Sequence, residues 1–600
     1  SRLSCEVAKE ALKKVDSYLG EKASEALSDG ADPNIISIRQ ETQDYAVATY
    51  LEHSDEGIYR LNLPTGMGKT MAALKVGLNS CAQGITERII YVAPYISILS
   101  QAAGEIREAT GLETIQHHYL STLEPYEVYA SGDERSSSAQ SSDYVELVEE
   151  DYLLTMESWQ APVVATTFNQ FFLALFPRRA QQTLRIGALH NAFIIIDEAQ
   201  IIDANVWKLF LRMVEALVNG MGSQVLFITA TMPPVENGLS KQPFSLAREH
   251  MDSKSRYVVK SEDEVFDVDL LVDSVMKSVD GDQDVAVVVN TVRNAAKIFS
   301  RLRDEVNRRG MANEVQMYHL SGAMTPLHKA YTINCVRSAL ASKDSALKES
   351  SESFSVVVVS TQVLEAGVDL SFDCIYRELP VLPSIIQVAG RANRHGEKQC
   401  RSEVRVFRFV DEKGNEPRRY VYRSPIWREE TDRIIETTGG WSEKESSHLL
   451  EMFFRECYRR APSEAFLQWL IDGALENGEE LRKVVPFQEQ VKPIDVFVPI
   501  SEWITDSVRQ AMGSFGVYTP DDLYYRYLEP GFLSSMSFVD RKRFFAVMQN
   551  FTVSLDWRKA MRIADKRSDT SLWRLVNLDQ YDCDTGLAEI AESDFSFFSV

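Results

Sequence analysis

The stretch Leu61-Asn62-Leu63-Pro64-Thr65-Gly66-Met67-Gly68-Lys69-Thr70 decides how this chain is read. Gly66 and Gly68 let the backbone approach a ligand where a side chain would block it. Backbone N–H groups in such a loop, with the start of the helix after it, point at phosphate oxygens. Lys69 brings a positive charge to the β- and γ-phosphates, and the Thr70 hydroxyl suits Mg²⁺. Thr65, Gly66, Gly68, Lys69 and Thr70 are therefore the candidate nucleotide-binding residues. The run Gly57-Ile58-Tyr59-Arg60-Leu61 before the loop is strand-like, and Met71 to Leu78 after it is a good helix former. Leu63 stands where the strict pattern has its first Gly. A Gly-rich turn with a chance Lys-Thr is the competing reading, and the loop's partners downstream argue against it.

Working outward, those partners follow in order. Asp197-Glu198-Ala199-Gln200 comes directly after the apolar run Phe193-Ile194-Ile195-Ile196. A carboxylate pair at the carboxyl end of a buried parallel strand lies where open α/β sheets bind ligands. Asp197 is the candidate Mg²⁺ ligand beside Thr70, acting mainly through water. Glu198 is the candidate for orienting the water that attacks a γ-phosphate. Thr229-Ala230-Thr231 ends the next strand-like run, where short hydroxyl side chains can bond the acidic motif. Further on, Gln387-Val388-Ala389-Gly390-Arg391-Ala392-Asn393-Arg394 places two arginines three residues apart, a spacing that predicts one helix face with Gln387 one turn earlier. Arginines in this setting neutralise charge developing on the γ-phosphate. Before them runs Ser360 to Asp369, in which Gly367 and Asp369 are expected to face the nucleotide cleft. Thr361 and Gln362 in that run are expected to contact a sugar–phosphate backbone. Pro94-Tyr95 with Gln101, Thr166-Thr167, Asn290-Thr291 and Ser321-Gly322 are weaker candidates of the same kind, because small hydroxyls and exposed N–H groups grip phosphates without reading bases.

The runs Ile89–Ala93, Val163–Thr166, Phe193–Ile196 and Val225–Ile228 are continuous rather than alternating, as parallel strands buried on both faces require. They predict an α/β domain over 38–250, with a polar, acidic insertion at 121–151 read as a surface loop. A second α/β domain is expected over 251–425, with strands at Val285–Val289, Glu314–Leu320, Phe354–Ser360, Cys374–Arg377 and Val404–Phe409. Lys343–Ser353 is read as loop. Residues 1–37 read as a helix, Cys5–Leu19, and a polar linker, with Arg39-Gln40-Glu41 opening the next helix. Residues 426–485 read as a helical linker and 486–600 as a mixed, mostly helical domain.

At 600 residues the chain has room for roughly four domains of about 150 residues. Apolar content of 44% and charged content of 25% are ordinary for a globular protein. No apolar run approaches the ~20 residues that span a membrane, and no signal peptide is read. The chain opens on Ser1 rather than Met, which reads as a processed or truncated piece. Seven scattered cysteines form no CxxC pair, which argues against a zinc ribbon and suits a reducing cytoplasm. A net charge of −23 argues against wide coating of nucleic acid, though a local basic channel survives beyond a Debye length of about 8–10 Å.

TGMGKT, DEAQ, TAT, the run from Thr361 to Asp369 and QVAGRANR, in this order, resemble the superfamily 2 helicases, in which Pro-Thr-Gly-x-Gly-Lys-Thr is common. RIIYVAPYISILSQ, VVATTFNQFFLALF, FIIIDEAQ and LPSIIQVAGRANRHGE resemble one branch, the signature helicase of type I CRISPR systems. The likeness covers about 35–425, and more faintly the tail around Tyr581–Leu587. It implies two tandem RecA-like domains with ATP between them. It also implies an ATP-driven motor running 3′ to 5′ on single-stranded DNA opened by the Cascade guide-RNA complex. A Gln upstream of the phosphate loop reads adenine in helicases; Gln40 and Gln43 both fit that position. The family also carries a His-Asp nuclease domain ahead of the helicase, yet none of the nine histidines here is followed by Asp. DNA cleavage is therefore not expected of this chain, and that nuclease is expected on a separate chain or upstream of Ser1. The alternatives are an RNA helicase or restriction-type translocase and, in another class, a nucleotide-gated clamp without turnover, against which Glu198 argues.

Overall fold

The computed structural model describes residues 2–28, 33–63, 67–94, 96–118, 154–229, 232–235, 238–248, 255–349, 354–365, 368, 370–394, 401–410, 414–463, 465–469, 484–486, 494–565 and 572–587. The first domain is built on seven parallel strands: β1 (Ile58–Asn62), β2 (Arg88–Ala93), β3 (Thr114–His117), β4 (Val163–Thr167), β5 (Ala192–Asp197), β6 (Gln224–Thr229) and β7 (Phe244–Ser245). Every residue of β2, β4, β5 and β6 is buried, which is why these strands read as unbroken apolar runs. They lie in the order β3-β4-β2-β5-β6-β1-β7. The register of β5 on β6 (Asp197 opposite Ile228) and of β1 on β6 (Asn62 opposite Thr229) brings the carboxyl ends of all three to one edge.

The second sheet holds β8 (Tyr257–Phe266), β9 (Val285–Val288), β10 (Val315–Leu320), β11 (Ser355–Ser360), β12 (Cys374–Glu378), β13 (Ser402–Phe409) and β14 (Gly440–Ser442). Its order, β10-β11-β9-β12-β13-β8-β14, repeats that of the first sheet strand for strand, with only β14 antiparallel. The expected pair of RecA-like α/β domains is therefore present. Both sheets are sandwiched by helices, whose ends follow local rules. The helix Ala204–Met221 starts where the Asp203 carboxylate accepts from Asn205 N and stops at Gly222. Gly222 sits at φ +64, and a Cβ there would lie 2.6 Å from Asn191 Oδ1.

Several boundaries differ from the sequence reading. The first helix runs Cys5–Ser28, and Leu3, Ala8, Ala11 and Val15 are buried in the same core as Tyr59 and Leu74. Residues 5–28 are thus part of the first domain rather than of a linker. The next helix opens at Pro33, so Arg39–Glu41 lie inside it. The helix Pro326–Glu349 runs through most of the stretch read as loop from Lys343, because the buried Lys343 ammonium bonds Asp284 Oδ1 at 2.8 Å. Residues 426–460 are built into the second domain: β14 pairs with β8, and Ile434, Trp441, Phe453 and Phe454 join the core that holds Leu382 and Val404. The expected insertion at 121–151 lies outside the described residues.

The C-terminal part mixes helices with a four-stranded sheet of β15 (Ile494–Phe497), β16 (Thr552–Leu555), β17 (Ala564–Asp565) and β18 (Trp573–Leu575), in the order β16-β15-β18-β17. Its cores take in Ala296, Ala323 and Leu327 of the second domain. The Tyr581 hydroxyl lies 3.0 Å from His328 Nδ1 and accepts from Thr325 N, while the His328 ring stacks on Trp503 with centroids 3.9 Å apart. No helix among the described residues is long and apolar enough to cross a membrane.

Candidate nucleotide site and strand contacts

Gly68 caps the helix Lys69–Ala82 at φ 73 and, being glycine, places no side chain over the helix start. The first N–H groups of that helix are left for a ligand, as a phosphate loop requires. A Cβ on Gly68 would lie 3.1 Å from Gln43 Nε2. Gln43 is buried beside the loop, whereas Gln40 is exposed on the same helix. Thr65 and Gly66 lie outside the described residues.

The acidic motif ends β5. Tyr91, rising from the buried neighbour β2, donates its hydroxyl to Asp197 Oδ2 at 2.6 Å. Burial first, and the charge of Glu198 second, push the Asp197 carboxyl well above the usual carboxylate range; Tyr91 and Lys69 pull the other way. The Thr70 hydroxyl is near enough to the Tyr91 phenol to oppose the upward push on its pKa, so Thr70, Tyr91 and Asp197 bring oxygen donors into one neighbourhood. That donor set fits a Mg²⁺ ion, which takes carboxylate, hydroxyl and water oxygens. Among the described residues no cluster of three metal-ligating side chains occurs, so such an ion would complete its shell from water and phosphate.

Glu198 adopts the left-handed conformation, φ 53 and ψ 46, which costs a residue with a Cβ roughly 1 kcal/mol or more. Its side chain lies 3.7 Å from Lys69 Nζ and accepts from Gln200 Nε2. Gln200 Oε1 in turn accepts from the Thr229 hydroxyl at 2.6 Å. The hydroxyl at the end of β6 thus bonds the acidic motif through Gln200. Ala230 and Thr231 lie outside the described residues. Tyr91 and Gln200 were not singled out from sequence, although Tyr91 was the one polar tip in the run Ile89–Ala93.

In the second domain the helix Leu382–Ala389 ends at Gly390, before either arginine. Gln387 lies on that helix, but Arg391 and Arg394 lie in turns beyond it and do not share a helix face with it. Asn393 between them takes φ 46, which no helix continues through. Arg391 Nη2 donates to the Glu365 carbonyl at 2.9 Å, and its Nε is buried with no hydrogen-bond partner among the described residues. Arg394 is fixed through its backbone: its N–H donates to Ser371 Oγ, and its carbonyl accepts from Arg256. Gly367 and Asp369 lie outside the described residues.

The other candidates lie at strand ends, as expected, but most spend their polar groups inside the fold. Thr166 is fully buried and donates to His117 O; Thr167 starts the helix Phe168–Leu175. Asn290 Nδ2 donates to Leu379 O, and its Oδ1 accepts from Arg377. Thr291 caps the helix Val292–Arg308. Thr361 is buried, and Gln362 Nε2 donates to Asn290 O at 3.3 Å. Ser321 is fully buried, while a Cβ on Gly322 would meet open space. Pro94 is buried, Gln101 bonds Glu105, and Tyr95 lies outside the described residues.

Comparison with known proteins places this geometry in a lineage. The family model of the DEAD/DEAH box helicases matches residues 40–237, and that of the CRISPR-associated nuclease/helicase Cas3 C-terminal part matches residues 281–397. The CRISPR-associated nuclease/helicase Cas3 of Haloferax volcanii is 26% identical over 57% of this chain and 45% of its own length. The Escherichia coli endonuclease/helicase Cas3 is 22% identical over 70% of this chain and 49% of its own. The chain thus spans about half the length of the curated relatives it matches. The crystal structure of T. fusca Cas3 with AMPPNP superposes with a TM-score of 0.63 at 15% identity, covering 91% of this chain and 70% of that one. A chain of a CRISPR RNA-guided surveillance complex before nicking gives 0.53 at 14% identity, covering 90% and 69%. The two family models fall one on each sheet, and both halves repeat a single strand order: in both halves the chain resembles the Cas3-type superfamily 2 helicases.

Proposed function

We propose that this chain is an ATP-driven translocase that moves on single-stranded DNA and unwinds target DNA presented by a guide-RNA surveillance complex. The observation that carries the proposal is the continuous set Lys69–Glu198–Gln200–Thr229 beside Tyr91–Asp197. Lys69 Nζ lies 3.7 Å from Glu198 Oε1. Phosphate oxygens compete for that ammonium, and once it turns to them Glu198 is free to orient water. Thr70 and Asp197 would hold Mg²⁺, which supplies positive charge to the phosphate oxygens. Gln200 reports the position of Glu198 to Thr229 at the end of β6. Arg391 and Arg394, with Gln387 behind them, supply guanidinium charge from the second domain, where closure of the two halves brings it to the γ-phosphate. Gly322, the segment after β11 with Thr361 and Gln362, and the strand ends at Pro94 and Thr167 are the proposed contacts to a phosphate backbone. Most are backbone groups, which suits binding without base readout. A His-Asp nuclease, carried upstream or on a separate chain, is the partner this reading calls for. The reading places the protein in the cytoplasm, where the guide complex acts.

The test is ATP turnover with and without single-stranded DNA. Lys69→Ala and Asp197→Ala are each expected to lower DNA-stimulated turnover by about 100-fold or more. Either variant turning over at the parent rate would overturn the site. The adenine reader has its own signature. Gln43→Ala is expected to raise KM for ATP about tenfold and leave KM for GTP nearly unchanged, since a lost hydrogen bond to the base removes discrimination. Equal effects on both nucleotides would place Gln43 elsewhere.

A further inference from the structure

Arg377 lies near the end of β12 and is completely buried. Its guanidinium is engaged on both sides. Nη1 donates to Val288 O, to Asn290 Oδ1 at 2.8 Å and to Glu378 O. Nη2 donates to Glu365 Oε1 at 2.8 Å, Ser384 Oγ at 2.9 Å and Tyr422 OH at 3.0 Å. These acceptors come from different parts of the second domain: the end of β9, the turn after β11, the helix Leu382–Ala389 and the segment past Val421. A planar fork with fixed donors can join them in one geometry, which a lysine cannot. Two short paths leave it. One runs through Glu365, whose carbonyl accepts from Arg391 Nη2 at 2.9 Å. The other runs through Asn290, whose carbonyl accepts from Gln362 Nε2 at 3.3 Å. Tyr422 adds a second tie between this fork and the helix Leu382–Ala389, its hydroxyl lying 3.2 Å from Ser384 Oγ.

A buried ion pair does not by itself explain this arrangement, because apolar side chains of similar volume often hold a core as well or better. We propose that Arg377 is a positioning residue that ties the Gln362–Asn290 side of the second domain to Arg391, so that a DNA strand on one side sets the guanidinium on the other. Coupling of this kind requires one bonded element that both sites bias, and the Arg377 fork is such an element. The inference rests on the proposed roles of Gln362 at the strand and Arg391 at the triphosphate.

Two variants test it. Arg377→Lys keeps the charge and loses the fork; Tyr422→Phe removes one hydroxyl and keeps the ring. Each is measured for thermal melting, for ATP turnover alone and for turnover with saturating single-stranded DNA. In Tyr422→Phe, melting and turnover without DNA are expected to stay at parent values while the DNA stimulation falls about threefold. In Arg377→Lys the stimulation falls about tenfold with KM for ATP within twofold of the parent. A merely structural role would lower melting and both rates together. Stimulation at the parent ratio in Tyr422→Phe, and in Arg377→Lys where it folds, overturns the inference and leaves the motor reading intact. A parent protein whose turnover ignores DNA overturns both, and is read before any variant.

Discussion

Glu198→Gln is expected to slow ATP turnover by at least about 100-fold while leaving ATP affinity equal or up to about threefold tighter. The amide keeps the side chain's volume, and the left-handed backbone at φ 53 suits Gln no worse than Glu. What is lost is the negative charge. Water is then left without its carboxylate, and Lys69, 3.7 Å away, is left without its competitor for phosphate. The two consequences have opposite signs, one on kcat and one on binding. Single-turnover phosphate release and nucleotide titration separate them. A variant that releases phosphate within tenfold of the parent would remove Glu198 from the chemistry.

Arg391→Ala is expected to lower kcat by about 1,000-fold, within the range an arginine finger contributes, with a smaller change in KM. Arg391→Lys should not restore it, because the held geometry uses Nη2 on the Glu365 carbonyl and a point charge cannot keep that bond and face a ligand at once. Arg394→Ala should cost less, about tenfold. The backbone of Arg394 carries its structural ties to Ser371 and Arg256, and the substitution leaves those in place. Steady-state kinetics of the three variants on single-stranded DNA check the order. Equal losses at 391 and 394 would mean that the two arginines act alike.

The strands that were legible are those buried on both faces, since unbroken runs such as Ala192–Asp197 carry no competing period. Those missed lie at, or next to, a sheet edge. Thr114–His117 is four residues with polar members, and Gly440–Ser442 is three. Tyr257–Phe266 carries a run of acids and is largely uncovered past Lys260. The phosphate loop and the acidic motif were legible because their chemistry is local in sequence. The arrangement of the arginines was not: a spacing of three suggested a helix, but Gly390 ends it and Asn393 turns the chain through φ 46. That Gln43 is buried near Gly68 while Gln40 is exposed is likewise a fact of packing. Tyr91 and Arg377 were hidden for a related reason. A polar group within an apolar strand declares itself only when its partners, distant in sequence, are known.

The path of the chain after the second sheet has a mechanical consequence. Tyr458, on the helix Glu443–Arg460 packed into the second domain, bonds Ile202 O of the first and meets Trp207 edge-on. Val484 is then buried in the first domain's core, and Pro486 O accepts from Asp203 N. The following sheet returns to rest on the second domain, and its neighbour Lys542 reaches back to Glu157, which Arg185 already neutralises. Moving the halves apart would break the Tyr458–Ile202 bond and the Lys542–Glu157 pair. Short strokes need only slide Tyr458 and release one ammonium. For a motor of the kind proposed, contacts of this sort favour small repeated steps over large ones.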